Sequence, residues 1–198
     1  LEIGIWELIG MEVLKISNRT LQKVASILKS GGVVIYPTDT VYGFLADATN
    51  KKAVEIIYKI KKRPKSKPVS LFVSDIKMAK ELVEVNEIQE KVLKKYWPGK
   101  YTFILKRKKG KKLFGVDKNT LAIRIPNHKF LQNLLKKIDG PLVQTSVNIS
   151  NEKPLGKISG IIKIFGSANV LIIDGGDIKR GKASKIIDLT TKKLTRIR

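Results

Sequence analysis

Apolar positions along this chain alternate between a helical period of about 3.6 and a strand period of 2, from one end to the other. In SNRTLQKVASILKSGG, Leu21, Val24, Ala25 and Leu28 recur at helical spacing, with Ser17 or Asn18 to cap the start and Gly31 the end. VVIY then reads as a buried strand. In NKKAVEIIYKIKKRP, the residues Ala53, Ile56, Ile57 and Ile60 are predicted to share one helical face, and Pro64 to end the helix. VSLFVS is a strand. Two short helices follow near Ile76–Val83 and Glu87–Tyr96, ending at WPG. YTFILK and LAIRI are strands, and HKFLQNLLKKI is a helix with Leu131, Leu134, Leu135 and Ile138 inward. PLVQTS and VLIID are strands on either side of a helix that aligns Ile158, Ile161, Ile162 and Phe165; KIIDLT and LTRIR come last. This alternation predicts one α/β domain. Connections of both short and long kind predict a mixed rather than a purely parallel sheet.

Composition narrows the class. The 198 residues contain no Cys, which excludes disulfides and Cys-based zinc or iron–sulfur sites and fits a reducing, cytoplasmic setting. No apolar run reaches the length of a membrane span. LEIGIWELIG, ahead of Met11, has two Glu and no basic residue, so it is a poor signal peptide; residues 1–13 read as an N-terminal extension. The formal net charge is +23, from 40 Lys and Arg against 17 Asp and Glu. Such a field favours polyanions, although a Lys-rich surface is also frequent in proteins from hot environments.

Candidate chemistry lies where strands and helices end. YPTDTVYG, Tyr36 to Gly43, places two Thr, one Asp and two of the chain's five Tyr just after the VVI strand. Thr38 and Thr40 read as projecting from one side of an extended segment; a turn closed by a Thr hydroxyl would account for Thr38 alone. Lys61 and Arg63 sit at a helix end, followed by Pro64 and Lys67-Pro68. Cations there complement the helix dipole, but prolines that fix the backbone also suit a phosphate clamp. Ser146 and Asn148 stand just past a buried strand, where they fit either ligand orientation or turn chemistry. Arg124, inside LAIRIP, is a charge in an apolar strand and needs an anion, from a ligand carboxylate or a protein Asp. The one histidine, His128, reads as a helix cap or surface residue. There is no Ser-His-Asp arrangement, no carboxylate pair, no Walker A sequence and no GxGxxG, so phosphates would have to be held by side chains.

In order along the chain, YPTDTVYG, Lys61-x-Arg63 followed by KP, WPG with a strand behind it, AIRIP, and Ser146-x-Asn148 resemble the YrdC-like threonylcarbamoyl-AMP synthases. The resemblance covers Leu14 to Arg198 and implies the short, single-domain form, with residues 14–198 as a YrdC-like domain. The ending GGDIKRGKASKIIDLT…LTRIR is similar to the family's, which aligns Ser184 and Arg198, or Arg196 if the register slips by two. The implied fold is a twisted open mixed sheet with helices and a basic concave face. The implied reaction joins L-threonine, bicarbonate and ATP, carried with Mg2+, into threonylcarbamoyl-AMP and pyrophosphate. A threonylcarbamoyl transferase complex would then modify tRNA, which this chain could also touch directly. By the same resemblance Lys61, Arg63, Ser146 and Asn148 form the catalytic basic–polar tetrad, Thr40, Arg124 and Ser184 bind threonine, and Arg63, Lys67, Thr120, Ser146 and Arg198 bind nucleotide. Three departures stand out: Phe72 where many relatives have a His, Lys67 where they often have Asn, and one extra residue in NISNEKPLGK. The alternative is an RNA-binding paralogue of the same fold without synthase activity. A related carbamoyl-transferring protein of hydrogenase maturation is much longer and has zinc-binding cysteines, which this chain lacks.

Overall fold

The computed structural model describes residues 12–178, 181–191 and 195–197. Among them ten strands form one mixed sheet flanked by six helices. The strands are β1 (Glu12–Lys15), β2 (Val34–Pro37), β3 (Tyr42–Asp47), β4 (Ser70–Phe72), β5 (Tyr101–Lys106), β6 (Thr120–Arg124), β7 (Leu142–Ser146), β8 (Leu171–Asp174), β9 (Lys185–Asp188) and β10 (Thr195–Arg196). Their order across the sheet is β1-β8-β2-β3-β7-β4-β6-β5-β9-β10. The helices are α1 (Asn18–Lys29), α2 (Lys51–Ile60), α3 (Ile76–Leu82), α4 (Glu87–Tyr96), α5 (Lys129–Ile138) and α6 (Ile158–Phe165). The expected α/β class and mixed sheet are therefore present. β1 pairs in parallel with β8, so the sheet takes in residues on both sides of the expected boundary at residue 13.

Local signals placed most helices. Ser17 caps α1 by accepting from the Thr20 amide, and Asn86 with Gln89 forms a reciprocal capping box on α4. Two expectations need correction. YGFLAD, to which the periodicity assigned no element, is β3, antiparallel to β2 and to β7. And α2 buries Ala53, Val54, Ile57 and Tyr58, while Ile56 is 38% exposed. Positions 53, 54, 57 and 58 are also a helical stripe, rotated from the one expected, and Tyr58 gains hydrogen bonds from its hydroxyl to Lys67 O and Gly115 O. That helix ends at Ile60 with Lys61 as its C-cap, and Lys62, whose φ is 48°, turns the chain before Pro64 is reached.

The two sheet faces are covered unequally. One carries the larger core, with α2, α3, α4 and α6 residues packed on Phe44, Leu71, Phe103, Leu121, Ile123 and Val143. On the other, α1 and α5 pack over β2, β3, β7 and β8, and this second core ends at Phe72 of β4. No buried apolar residue of β5, β6 or β9 belongs to it. Alternation along those strands sends Leu121, Ile123, Phe103 and Leu105 into the larger core and turns Ala122, Arg124 and Ile104 to the uncovered side. That uncovered side holds the cleft.

Candidate functional site

The cleft has a volume of about 220 Å³. Six of the ten candidate residues line it: Thr40, Arg63, Thr120, Arg124, Ser146 and Ser184. Asn148 and Lys61 lie buried behind Ser146, Lys67 stays outside the lining beside Pro68, and Arg198 falls outside the described residues.

The octapeptide is a β-hairpin turn, not an extended segment. Thr38 N donates to Val41 O at 3.3 Å, and Thr38 Oγ1 donates to the same carbonyl at 2.7 Å. Thr38 Oγ1 also accepts from the amides of Thr40 (3.1 Å) and Val41 (3.2 Å). This hydroxyl-closed turn explains Thr38, as turn chemistry alone would. It also presents Thr40 Oγ1 to Arg124, 3.1 Å from Nη1, with Thr38 Oγ1 2.9 Å away. Tyr42 Oη donates to Gly176 O at 2.7 Å and so ties the following loop to the hairpin. That loop returns close by: a Cβ on Gly181 would lie 2.4 Å from Thr40 O, a contact only glycine permits.

Arg124 is 1% exposed and already has its anion. Its Nη2 donates to Asp39 Oδ1 in a buried ion pair, and its Nε donates to Gly99 O at 2.8 Å. Asp39 Oδ2 accepts from the Asn127 amide at 3.2 Å. Burial pushes the guanidinium pKa down and Asp39 pushes it back up. Of the two anions the sequence left open, the fold supplies the protein Asp. A guanidinium has five N–H donors and three are used here, so Arg124 keeps capacity toward the cleft. Phe72 lies under it, with Arg124 Cζ 5.5 Å from the ring centroid.

Lys61 is also 1% exposed. Its Nζ donates to Ser146 O, to Asn148 O at 2.8 Å and to Asn148 Oδ1 at 3.2 Å, all neutral acceptors. Burial first, and Arg63 second, push its pKa down to about 7. Ser146 Oγ donates to Asn148 Oδ1 at 2.6 Å, while Asn148 Nδ2 donates to Ile149 O and Glu152 O. Lys61, Ser146 and Asn148 therefore form one clasp between the α2 terminus and the end of β7. Arg63 is held apart from it, with Nε on Lys67 O (3.0 Å) and Nη2 on Pro68 O (2.8 Å). Lys67 Nζ donates to Asn151 Oδ1 at 3.0 Å. Ser184 Oγ and Thr102 Oγ1 are 2.9 Å apart, and Thr120 donates through N and Oγ1 to Asp117 Oδ1.

His128 holds the N-cap position of α5 but makes no side-chain cap bond. Its Nδ1 is buried without a partner among the described residues, and its ring meets Tyr36 edge-on at 5.5 Å. The sequence reading missed Asp39, Ser70, Asp117 and Gln144, of which the last three line the cleft. Asp39 lay inside the octapeptide, and only tertiary pairing gives it a partner 85 residues away.

Comparison with known proteins gives the family. The Sua5/YciO/YrdC family model, described as Telomere recombination, matches residues 26–198. A protein of Methanocaldococcus jannaschii is 34% identical over 192 residues, which are 95% of this chain and 91% of that protein. A Vibrio vulnificus protein named threonylcarbamoyl-AMP synthase is 30% identical, over 89% of this chain and 97% of its own length. Among solved structures, Pyrococcus abyssi Sua5 complexed with L-threonine superposes with a TM-score of 0.85 at 28% identity, over 94% of this chain and 56% of that one. Escherichia coli YciO superposes with a TM-score of 0.83 at 27% identity, over 94% and 93%. By its sequence and by its fold, the chain belongs to the Sua5/YciO/YrdC family.

Proposed function

We propose that the cleft joins L-threonine, bicarbonate and ATP into threonylcarbamoyl-AMP and pyrophosphate. The observation that carries this reading is the meeting of two unlike groups of side chains on one uncovered sheet face. Arg124 and Thr40, hydrogen-bonded to each other, line the cleft with Ser184, and Arg63, Thr120 and Ser146 line the same cleft. The first group suits an amino-acid carboxylate and hydroxyl; the second suits phosphates. Relatives named threonylcarbamoyl-AMP synthases, and one solved with L-threonine, support the same assignment.

In the proposed reaction the neutral threonine amine attacks the carbon of bicarbonate and water leaves, giving a carbamate. A carbamate oxygen then attacks the α-phosphorus of ATP, the bond to the β-phosphate oxygen breaks, and pyrophosphate departs. No side-chain nucleophile is needed. The protein would contribute orientation and fixed dipoles around crowded anions. Arg124 would hold the carboxylate and Arg63 the phosphates. Lys61 would keep Ser146 and Asn148 in place from behind. The nucleoside would extend past Pro68 and Asp117, where the cleft meets a neighbouring cavity of about 540 Å³ bordered by Tyr58 and Phe114. Asp117 is the one carboxylate in the cleft lining and is committed to Asn119 and Thr120. Among the described residues no three His, Cys, Asp or Glu stand together. Mg2+ would then enter with ATP, on phosphate oxygens and water.

The test supplies ATP, Mg2+, L-threonine and radiolabelled bicarbonate. We expect pyrophosphate release and label in a nucleotide-linked product, both lost when threonine or bicarbonate is omitted. Valine in place of threonine should fail, because a site that hydrogen-bonds the hydroxyl leaves polar groups unpaired without it. The second reading is an RNA-binding paralogue of the same fold; folded protein that incorporates no label yet binds RNA would select it.

A further inference from the structure

Gln144 lies on the cleft wall and has no role in the reaction described above. It belongs to β7, opposite Leu45 of β3 and Ser70 of β4, and faces the same side as Ser146 two residues on. It is 9% exposed. Its Oε1 accepts from Ser70 Oγ at 3.1 Å, and the same hydroxyl donates to its main-chain oxygen at 3.0 Å. One end of the amide is thereby fixed. Its other end, Nε2, has no acceptor among the described residues, although the side chain lines the cleft. This donor is not among the enclosed unpartnered atoms, so water or a ligand in the cleft can accept from it.

Room for that donor comes from the octapeptide. A Cβ on Gly43 would stand 3.1 Å from Gln144 Nε2, and 3.4 Å from Thr145 O. Glycine at this position leaves room for the amide, which a Cβ would crowd. The sheet order puts β4 between β7 and β6, so Gln144 stands beside Ser146 on its own strand and two strands from Arg124. Both Ser146 and Arg124 line the same cleft as Gln144.

We propose that Gln144 Nε2 donates a hydrogen bond to the carboxylate-like oxyanion derived from bicarbonate, the group that links the amino acid to the phosphate. This rests on the synthase reading. The donor would hold the carbamate oxygen that does not attack, leaving the other free to reach phosphorus. A neutral amide does this without competing with Arg124 for the threonine carboxylate.

The experiment compares the parent with Gln144→Met, which keeps length and volume but removes both N–H groups. We expect turnover in pyrophosphate release to fall about a hundredfold, as when one donor to a reacting oxyanion is lost. Threonine affinity, measured by calorimetry without bicarbonate, should stay within about twofold of the parent, which also reports an intact fold. Gly43→Ala should lower turnover through the same amide, so the Gln144→Met/Gly43→Ala double variant should be no slower than Gln144→Met alone. A Gln144→Met protein with parental turnover and parental bicarbonate KM overturns the inference and leaves the synthase reading standing. Threonine affinity lost in step with turnover also overturns it, since the amide would then serve the amino acid. A parent that releases no pyrophosphate overturns both.

Discussion

Arg124 and Lys61 are each 1% exposed, yet the fold treats their charges differently. Arg124 is matched by Asp39, whereas Lys61 is surrounded by neutral oxygens. Removing one partner of a buried ion pair strands the other, at a cost of about 3–5 kcal/mol. We expect Arg124→Met to lose stability on that scale in urea denaturation, and Arg124→Met/Asp39→Asn to recover a large part of it. The double variant can then be tested for threonine binding in a stable protein; parental affinity there would remove Arg124 from the threonine site. For Lys61 the pKa in the fold, about 7, lies below the ordinary value of 10.5. Between those two pH values the unfolded chain holds the proton and the folded chain does not. Its contribution to stability therefore rises with pH across that window and is least favourable below about pH 7. We expect the parent to gain stability relative to Lys61→Met as pH increases from about 7 to 10, measured by urea denaturation at each pH. A flat difference would mean that the ammonium is charged throughout and has an anion nearby.

At the scale of elements, α2 carries the site on its C-terminal end, and its packing fixes where that end points. Ile57 is fully buried and Ile56 is 38% exposed, although both are apolar and adjacent. We expect Ile57→Ala to cost about 2–5 kcal/mol and Ile56→Ala less than about 1, read from denaturation midpoints. Comparably large costs at both positions would restore the face read from periodicity. The β2–β3 hairpin plays a matching part on the other side of the cleft. Its turn is closed by the Thr38 hydroxyl, and the strand that follows, β3, pairs with β7, so Thr40 and Ser146 are set by one ladder of main-chain bonds.

Over the whole molecule, the cleft exists because α1 and α5 cover only one side of the second sheet face. Ligands laid on the bare side would bind the folded chain and not the unfolded one, so each should raise the melting temperature by mass action, about 2.7 kcal/mol at a hundred times Kd. We expect threonine and an ATP analogue each to stabilise the protein, and Arg124→Met/Asp39→Asn to lose the threonine increment alone. The net charge of +23 acts over the same scale. It predicts attraction to any polyanion, falling as salt rises, and so does not distinguish a synthase from an RNA binder. No helix among the described residues is long and apolar enough to cross a membrane.

By itself the sequence determined the α/β class, all six helices among the described residues, and the motifs from which six cleft-lining residues were named. These are local matters: caps, periodicity and short motifs leave their signal within a few neighbouring residues. It did not determine β3, since YGFLAD lacks alternation when buried on both faces, and its strand character comes from pairing with β2 and β7. Nor did it determine which face of α2 is inward, because Ile56 and Tyr58 are both plausible in a stripe until a partner surface is present. The anion for Arg124 was left open between ligand and protein, and only the hairpin that swings Asp39 across the sheet decided it. Lys61 was read as a phosphate ligand and Gln144 was not read at all. One turned its cation away from solvent and the other its amide toward the cleft, because strand register and the space over Gly43 are properties of chain segments about a hundred residues apart.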